Sequence, residues 1–203
     1  MKHSGIKDCI AFSIKTLGCK VNQYESELIS QNLKKSGLHR NKYPDSDIAI
    51  INACSVTQKT EGKLRRELSR ALKTKNSLII VCGCISQALS NSIKNLHHAR
   101  LVQISNDDKP KAVLNIINRR FFKHKGVFSP VLDSFSNRTR AFVKIQDGCQ
   151  SFCSYCIVPL MRPRIWNRSP EEILSEIHNI EKSMHREIVL TGVHTCLLYT
   201  SPS

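Results

Sequence analysis

Acidic residues are scarce in this sequence. Among 203 residues, 16 Asp and Glu stand against 31 Lys and Arg, a formal charge of +15. The surplus exceeds what solubility requires and points to an anionic partner, with nucleic acid first in line. Long apolar runs are also lacking. The longest, residues 78–85, is eight residues against the roughly 20 a membrane helix needs, so no transmembrane segment is expected. Near the amino terminus, Lys7, Asp8, Ser13 and Lys15 interrupt the apolar positions and leave no hydrophobic stretch for a signal peptide. Nine cysteines, an odd count in a chain this long, do not suit a secreted disulfide framework. These absences together predict a cytoplasmic chain whose thiols are reduced or metal-bound. No Ser/His/Asp triad or metal-hydrolase motif is evident, and with 40% hydrophobic and 23% charged residues the composition is globular, neither collagen-like nor disordered.

From Cys9 to Leu114, short apolar runs alternate with amphipathic stretches, the pattern of a parallel α/β sheet. Strands are expected at 9–16, 47–53, 78–83 and 100–105. Crossover helices are expected over 22–36, 59–75 and 86–95, where Leu28, Ile29 and Leu33, then Leu64, Leu68 and Leu72, then Leu89 and Ile93 recur at near-helical spacing. Residues 119–140, with six basic residues and one acidic mixed with Gly, Pro and Ser, read as a basic linker. A second βαβ unit follows, with strands at 141–147 and 187–192 flanking a helix from Pro170 to about Ser183, which Ser169, Glu171 and Glu172 start well. The charge is unevenly spread: residues 1–118 carry 19 basic and 9 acidic side chains, whereas residues 141–203 carry 6 of each. The basic surface therefore belongs to the first domain and the linker.

The sharpest motif is Cys149, Cys153 and Cys156 in a C-x3-C-x2-C run just after a predicted strand. Three thiolates on one tight loop can hold three irons of a cubane cluster and leave the fourth open to an outside ligand. A zinc site, which prefers four ligands, and buried structural thiols are the alternatives. Cys19, Cys54 and Cys84 each lie just beyond the carboxyl end of a predicted strand, and in an open parallel sheet those ends share the edge where ligands bind. That placement suggests a second thiolate triad, with Gly18 and Gly83 permitting close backbone approach. Cys82 shares strand parity with Cys84 and competes for the same role, although its place inside the strand suggests burial. Cys9 and Cys196 read as ordinary thiols, and the histidines, His97 and His98 included, lack metal-ligand spacing with one another. In the run 119–125, Arg119, Arg120, Lys123 and Lys125 beside two phenylalanines suit either a solvated connector or RNA contact by backbone neutralisation and stacking.

Several strings resemble one family. Cys149–Cys156 resembles the radical S-adenosylmethionine signature, and TLGCKVNQYESE (16–27), NACSVT (52–57), GCISQ (83–87), RAFVKIQDGCQSFCSYCIVP (140–159) and EIVLTGVH (187–194) resemble, in order, the motifs of the methylthiotransferases. The resemblance implies an α/β protein with an amino-terminal parallel-sheet domain (1–118), the linker, and the start of a partial (β/α) radical SAM barrel (141–194). It implies two 4Fe-4S clusters, one on Cys149, Cys153 and Cys156 that chelates S-adenosyl-L-methionine with Tyr155 near the adenine, and an auxiliary one on Cys19, Cys54 and Cys84 that supplies sulfur. It further implies reductive cleavage to a 5′-deoxyadenosyl radical, an electron donor that the sequence does not specify, and a positioning role for the protein. Some of Arg162, Arg164 and Arg168 are expected at cofactor or RNA phosphate.

Lys20 and Val21 resemble the branch that adds a methylthio group at C2 of N6-threonylcarbamoyladenosine in tRNA. Methylthiotransferases of isopentenyladenosine tRNA or of a ribosomal protein are the rival enzymes, and a basic metal-binding RNA-binding module is the non-enzyme rival. Two departures stand out. Pro163 occupies a position where the family has Gly, which fixes φ and removes an amide donor. From Thr195 the chain reads TCLLYTSPS in place of the Gly- and Tyr-containing turn that follows GVH, so residues 195–203 are expected to be foreign to the family, the barrel incomplete and the chain inactive as it stands.

Overall fold

Residues 48–54 and 78–84 are almost unbroken Ile, Val, Leu, Ala and Cys, and such runs suit parallel strands covered on both faces. In a computed structural model, which describes residues 10–106, 108–122, 127–135, 139–183 and 185–195, these become β3 (Ile48–Cys54) and β4 (Leu78–Cys84). They lie at the heart of a five-stranded parallel sheet with β1 (Ala11–Leu17), β2 (His39–Arg40) and β5 (Leu101–Gln103), in the order β2-β1-β3-β4-β5. Helices cover both faces. On one side α1 (Lys20–Lys35) and α4 (Lys109–Phe121) bring Ile29, Leu33, Val113, Leu114 and Ile117 against Phe12, Ile14, Ile48, Ile50 and Ile80. On the other, α2 (Gln58–Leu72) and α3 (Gln87–Lys94) set Leu64, Leu68, Leu89 and Ile93 against Ala49, Ile51, Ile79 and Val81. The period-2 alternation of the strands assigns each side chain to its face. From β1 the chain turns to β2 on one side and then to β3 on the other, so the carboxyl ends of β1 and β3 flank the switch point where open α/β sheets take ligands.

Helix α4 was not among the expected elements. Its Pro110 occupies the first turn, where a missing N–H costs nothing, and its last turn contains Arg119 and Arg120. The segment read as a linker therefore begins inside a helix. It is also packed: Leu132 and Phe135 are buried with Tyr24 and Leu28 of α1. Asn32 donates to the Ser129 carbonyl at 2.9 Å and accepts from its N–H at 2.7 Å, and Gln31 does the same for the Val131 carbonyl and Asp133 N–H.

Beyond it, β6 (Arg140–Lys144) and β9 (Glu187–Thr191) pair in parallel around the crossover helix α6 (Pro170–Glu181). The Ser169 hydroxyl caps α6 by accepting from Glu172 N–H. The single strand expected at 141–147 is interrupted at Ile145, and β7 (Gln146–Asp147) pairs antiparallel with β8 (Trp166–Asn167). Between them lie the cysteine loop and the short α5 (Val158–Met161). Among the described residues, β9 pairs only with β6, and no helix is long and apolar enough to cross a membrane.

Candidate functional site

Two glycines bring the first three cysteine positions together. Gly83, at φ +114°, lies so close to β3 that an added Cβ would sit 1.9 Å from the Ala53 carbonyl oxygen, and a Cβ on Gly18, at φ +131°, would sit 2.6 Å from Cys54 Cβ. Only glycine adopts this backbone without strain. Cys54 and Cys84 are cross-strand partners, and Ser55 donates to the Cys84 carbonyl from both its N–H and its hydroxyl. Cys19, just before α1, is exposed and close enough to Cys54 for the two to interact electrostatically. The Cys84 sulfur accepts from the Cys54 thiol, and this, against the effect of burial and with help from Arg162 and Asn106, lowers its pKa to about 5. The same hydrogen bond, with burial, raises the pKa of Cys54. Cys82 points instead into the core under α1 and α4, where burial pushes its thiol up to about 12. The strand end thus belongs to Cys84.

The second set lies on one irregular loop. Cys149 is buried, Cys156 half-buried and Cys153 exposed. Gly148, at φ +80°, would place a Cβ 2.0 Å from the Arg164 carbonyl, so the loop is pressed against the segment that returns from α5. The Cys149 N–H donates to the Arg162 carbonyl at 3.1 Å and the Cys156 N–H to the Cys153 carbonyl at 2.9 Å. His194 Nδ1 lies 3.3 Å from the Cys149 sulfur and 3.2 Å from the Ser151 hydroxyl. Its spacing to other histidines gave no hint of this, because the partner lies 45 residues away. Gln146 places both chain segments: its Oε1 accepts from the N–H groups of Val193 and His194, and its Nε2 donates to the carbonyls of Asp147 and Gly148.

Between the two cysteine sets lies a buried ionic network that composition did not reveal. Glu25 of α1 takes Lys109 of α4, Lys144 of β6 and Arg162, and Arg162 and Lys144 also pair with Asp147. Burial alone would raise the Glu25 pKa, but Lys109, Lys144 and Arg162 outweigh it and hold the carboxyl well below the usual range. Asn52 of β3 accepts from Lys109 Nζ at 3.1 Å. Arg162 donates from Nε to the Cys84 sulfur at 3.2 Å, and Asn106 donates to the same sulfur at 3.1 Å. A neighbouring network joins Arg168, Glu176 and the Tyr24 hydroxyl. A cavity of about 380 Å³ opens beside both, with Lys109, Lys111, Arg162, Arg164, Trp166 and Arg168 in its wall. Of the three arginines considered from sequence, Arg162 and Arg168 are therefore held in ion pairs at the seam.

Tyr155 is 90% exposed on the cysteine loop. Arg119 and Arg120 are exposed at the end of α4, and Phe121 and Phe122 beside them are half-buried, packed against the core. Lys123, Lys125, Cys9 and Cys196 lie outside the described residues. Among the described residues, no three His, Cys, Asp or Glu side chains enclose a single metal ion. The cysteine positions do fit a softer and larger group: all the donors are sulfur, glycines stand where backbones crowd, and polar N–H groups aim at Cys84. Thiolate donors of this kind hold iron–sulfur clusters.

A family model described as Uncharacterized protein family UPF0004 matches residues 11–103, and the Radical SAM superfamily model matches residues 143–201, reaching into the segment expected to be foreign. Residues 143–201 are thus similar to the radical SAM superfamily, a likeness that implies a 4Fe-4S cluster and S-adenosylmethionine. The UPF0004 match precedes it, and the relatives similar to this chain over both segments are methylthiotransferases. It is 34% identical over 198 residues to the threonylcarbamoyladenosine tRNA methylthiotransferase MtaB of Bacillus subtilis (89% of this chain, 43% of the relative). It is 36% identical over 193 residues to that of Thermotoga maritima, with the same coverage. A tRNA-2-methylthio-N(6)-dimethylallyladenosine synthase of Clostridium novyi is 34% identical over 197 residues, covering 89% of this chain and 44% of the relative. The chain spans less than half the length of these relatives.

Proposed function

We propose that this chain contributes to a tRNA methylthiotransferase that modifies N6-threonylcarbamoyladenosine at C2, with Cys149, Cys153 and Cys156 holding the radical SAM cluster and Cys19, Cys54 and Cys84 an auxiliary one. The observation that carries the reading is the seam: one residue, Arg162, touches a cysteine of each set. The threonylcarbamoyl substrate follows the relatives named MtaB. A cluster with an open iron, when bound, supplies the electron that cleaves S-adenosylmethionine. The protein's part is geometric. Gln146 and the Arg162 carbonyl fix the Cys149 loop, Gly18 and Gly83 let three strand ends converge, and the buried ion pairs hold the two halves in register. Exposed Tyr155 is free to meet an adenine, and basic residues of 1–140, Arg119, Arg120, Lys123 and Lys125 among them, supply the tRNA contact by displacing counterions.

The test is anaerobic reconstitution followed by iron and sulfide determination. Two clusters are expected, and replacing Cys149, Cys153 and Cys156 by Ala should remove about half the iron. Stoichiometric zinc without labile sulfide would end the reading. Nucleoside mass spectrometry of tRNA treated with the full-length protein should show methylthiolated threonylcarbamoyladenosine, lost in Cys153→Ala. Modification of isopentenyladenosine alone would move the chain to the other tRNA branch, and modification of ribosomal protein alone would remove tRNA as substrate.

A further inference from the structure

We infer that Arg162 is a positioning residue that ties the two cysteine sites together and raises the reduction potential of the site containing Cys84. The inference rests on the two-cluster reading above. The guanidinium is held from every side. Nη1 donates to both Asp147 carboxylate oxygens at 2.7 Å and to Glu25 Oε1 at 3.1 Å, while Nη2 donates to Glu25 Oε2 and to Asn22 Oδ1, each at 3.2 Å. Nε is left for the Cys84 sulfur at 3.2 Å, joined there by Asn106. At the same residue the backbone carbonyl takes the Cys149 N–H at 3.1 Å. The side chain therefore reaches one cysteine set and the main chain the other, and neither can shift without moving the other.

A buried ion-pair partner needs no contact with sulfur, yet here one arm of the planar fork points at it. Donors aimed at a cluster sulfur, and a positive charge beside it, favour the more negative, reduced state and so raise the potential. Lysine offers a point charge without the fork and cannot satisfy two carboxylates and a sulfur in fixed directions.

The experiment uses this chain, reconstituted with iron and sulfide, with Cys149, Cys153 and Cys156 replaced by Ala so that only the Cys84 site is loaded. In a potentiometric titration followed by electron paramagnetic resonance, Arg162→Gln is expected to lower the reduced-to-oxidised ratio about tenfold at a given potential, a 59 mV negative shift for a one-electron couple. Arg162→Lys, which keeps the charge, should give a smaller shift of the same sign. In the chain with all cysteines present, the magnetic coupling between the two reduced clusters should weaken in both variants. An unchanged potential alongside a lowered melting temperature would make Arg162 a structural ion-pair partner and overturn the inference. Unchanged coupling would overturn the tie between the sites. If Arg162→Gln does not fold, Arg162→Lys decides both points. Failure of the triple-Ala chain to bind iron and sulfide removes the two-cluster reading and this inference with it, whereas a loaded cluster with an unmoved potential removes the inference alone.

Discussion

Every residue of β3 and β4 except Cys54 is buried, whereas β9 leaves Glu187 and Leu190 exposed and only Thr191 fully covered. The first sheet is clad by helices on both faces. The second leans on α1, which packs Ile29 and Leu33 on the first sheet and Tyr24 and Leu28 toward β6 and the strap at 127–135. The two halves are also joined by different chemistry. Around the strands of the first, contacts are chiefly apolar and shape decides; at the seam, Glu25, itself paired with Lys109, meets Lys144 and Arg162 of the second half, which also hold Asp147, and charge decides. Substitutions of shape should therefore damage the first half, and substitutions of charge should part it from the second.

The severest test of that contrast is Gly83→Ala. A side chain there must displace the neighbouring strand, and a loss of more than about 4 kcal/mol is expected, read as loss of a cooperative denaturant transition. A transition within about 1 kcal/mol of the parent's would show that the central strands yield. Glu25→Ala comes next, with an expected cost of about 3–5 kcal/mol because three buried cations lose their shared partner. Hydrogen exchange should show β6 and β9 losing protection before β3 and β4; the reverse order would break the comparison.

Acid should act in the same direction. Because the Glu25 pKa is depressed in the folded chain, its stabilisation is fully present above the ordinary glutamate value and is lost as pH falls through the folded one. Glu176 has the opposite sign. Burial raises its pKa despite Arg168, so its contribution is present at low pH and fades as pH rises through the folded value. Glu25→Gln should flatten the acid limb of a stability–pH curve, and an unaltered limb would assign acid sensitivity elsewhere. Smallest is Arg140→Ala, which breaks an exposed pair with Glu187 on β6 and β9 and should cost no more than about 1 kcal/mol in the same denaturation assay.

Four of the five strands of the first sheet were legible because short apolar runs have few other uses, and the crossover helices because their apolar residues recur at helical spacing; β2, only His39–Arg40, has no apolar run and was not expected. Helix α4 escaped because its polar, Pro-containing start and Arg-Arg end resemble the connector that follows, although Val113, Leu114 and Ile117 carried the helical signal. The strand-end placement of the three cysteines was legible through topology; parity did not separate Cys84 from Cys82, and only the position of Cys82 inside the strand hinted at its burial. What sequence did not reveal was the seam. Glu25, Lys109 and Lys144 look like ordinary surface charges when taken singly, Arg162 is expected from sequence at cofactor or RNA phosphate and not in an ion pair, and the network forms only when segments up to 137 residues apart meet. Nor did an apparent linker announce that Leu132 and Phe135 would be core.

Gln146 offers a finer probe than any of these charges. Both donor positions and both lone pairs of its amide are occupied, so the group has one permissible orientation and works as a polarity-coded clasp between the end of β9 and the approach to Cys149. Glutamate has the same outline but no N–H, and would set carboxylate oxygen against the carbonyls of Asp147 and Gly148. Two attractions would become repulsions with hardly a change in volume. The spacing between His194 and the Cys149 sulfur is thus written in the handedness of one amide, and an isosteric exchange could open it while leaving both sheets intact.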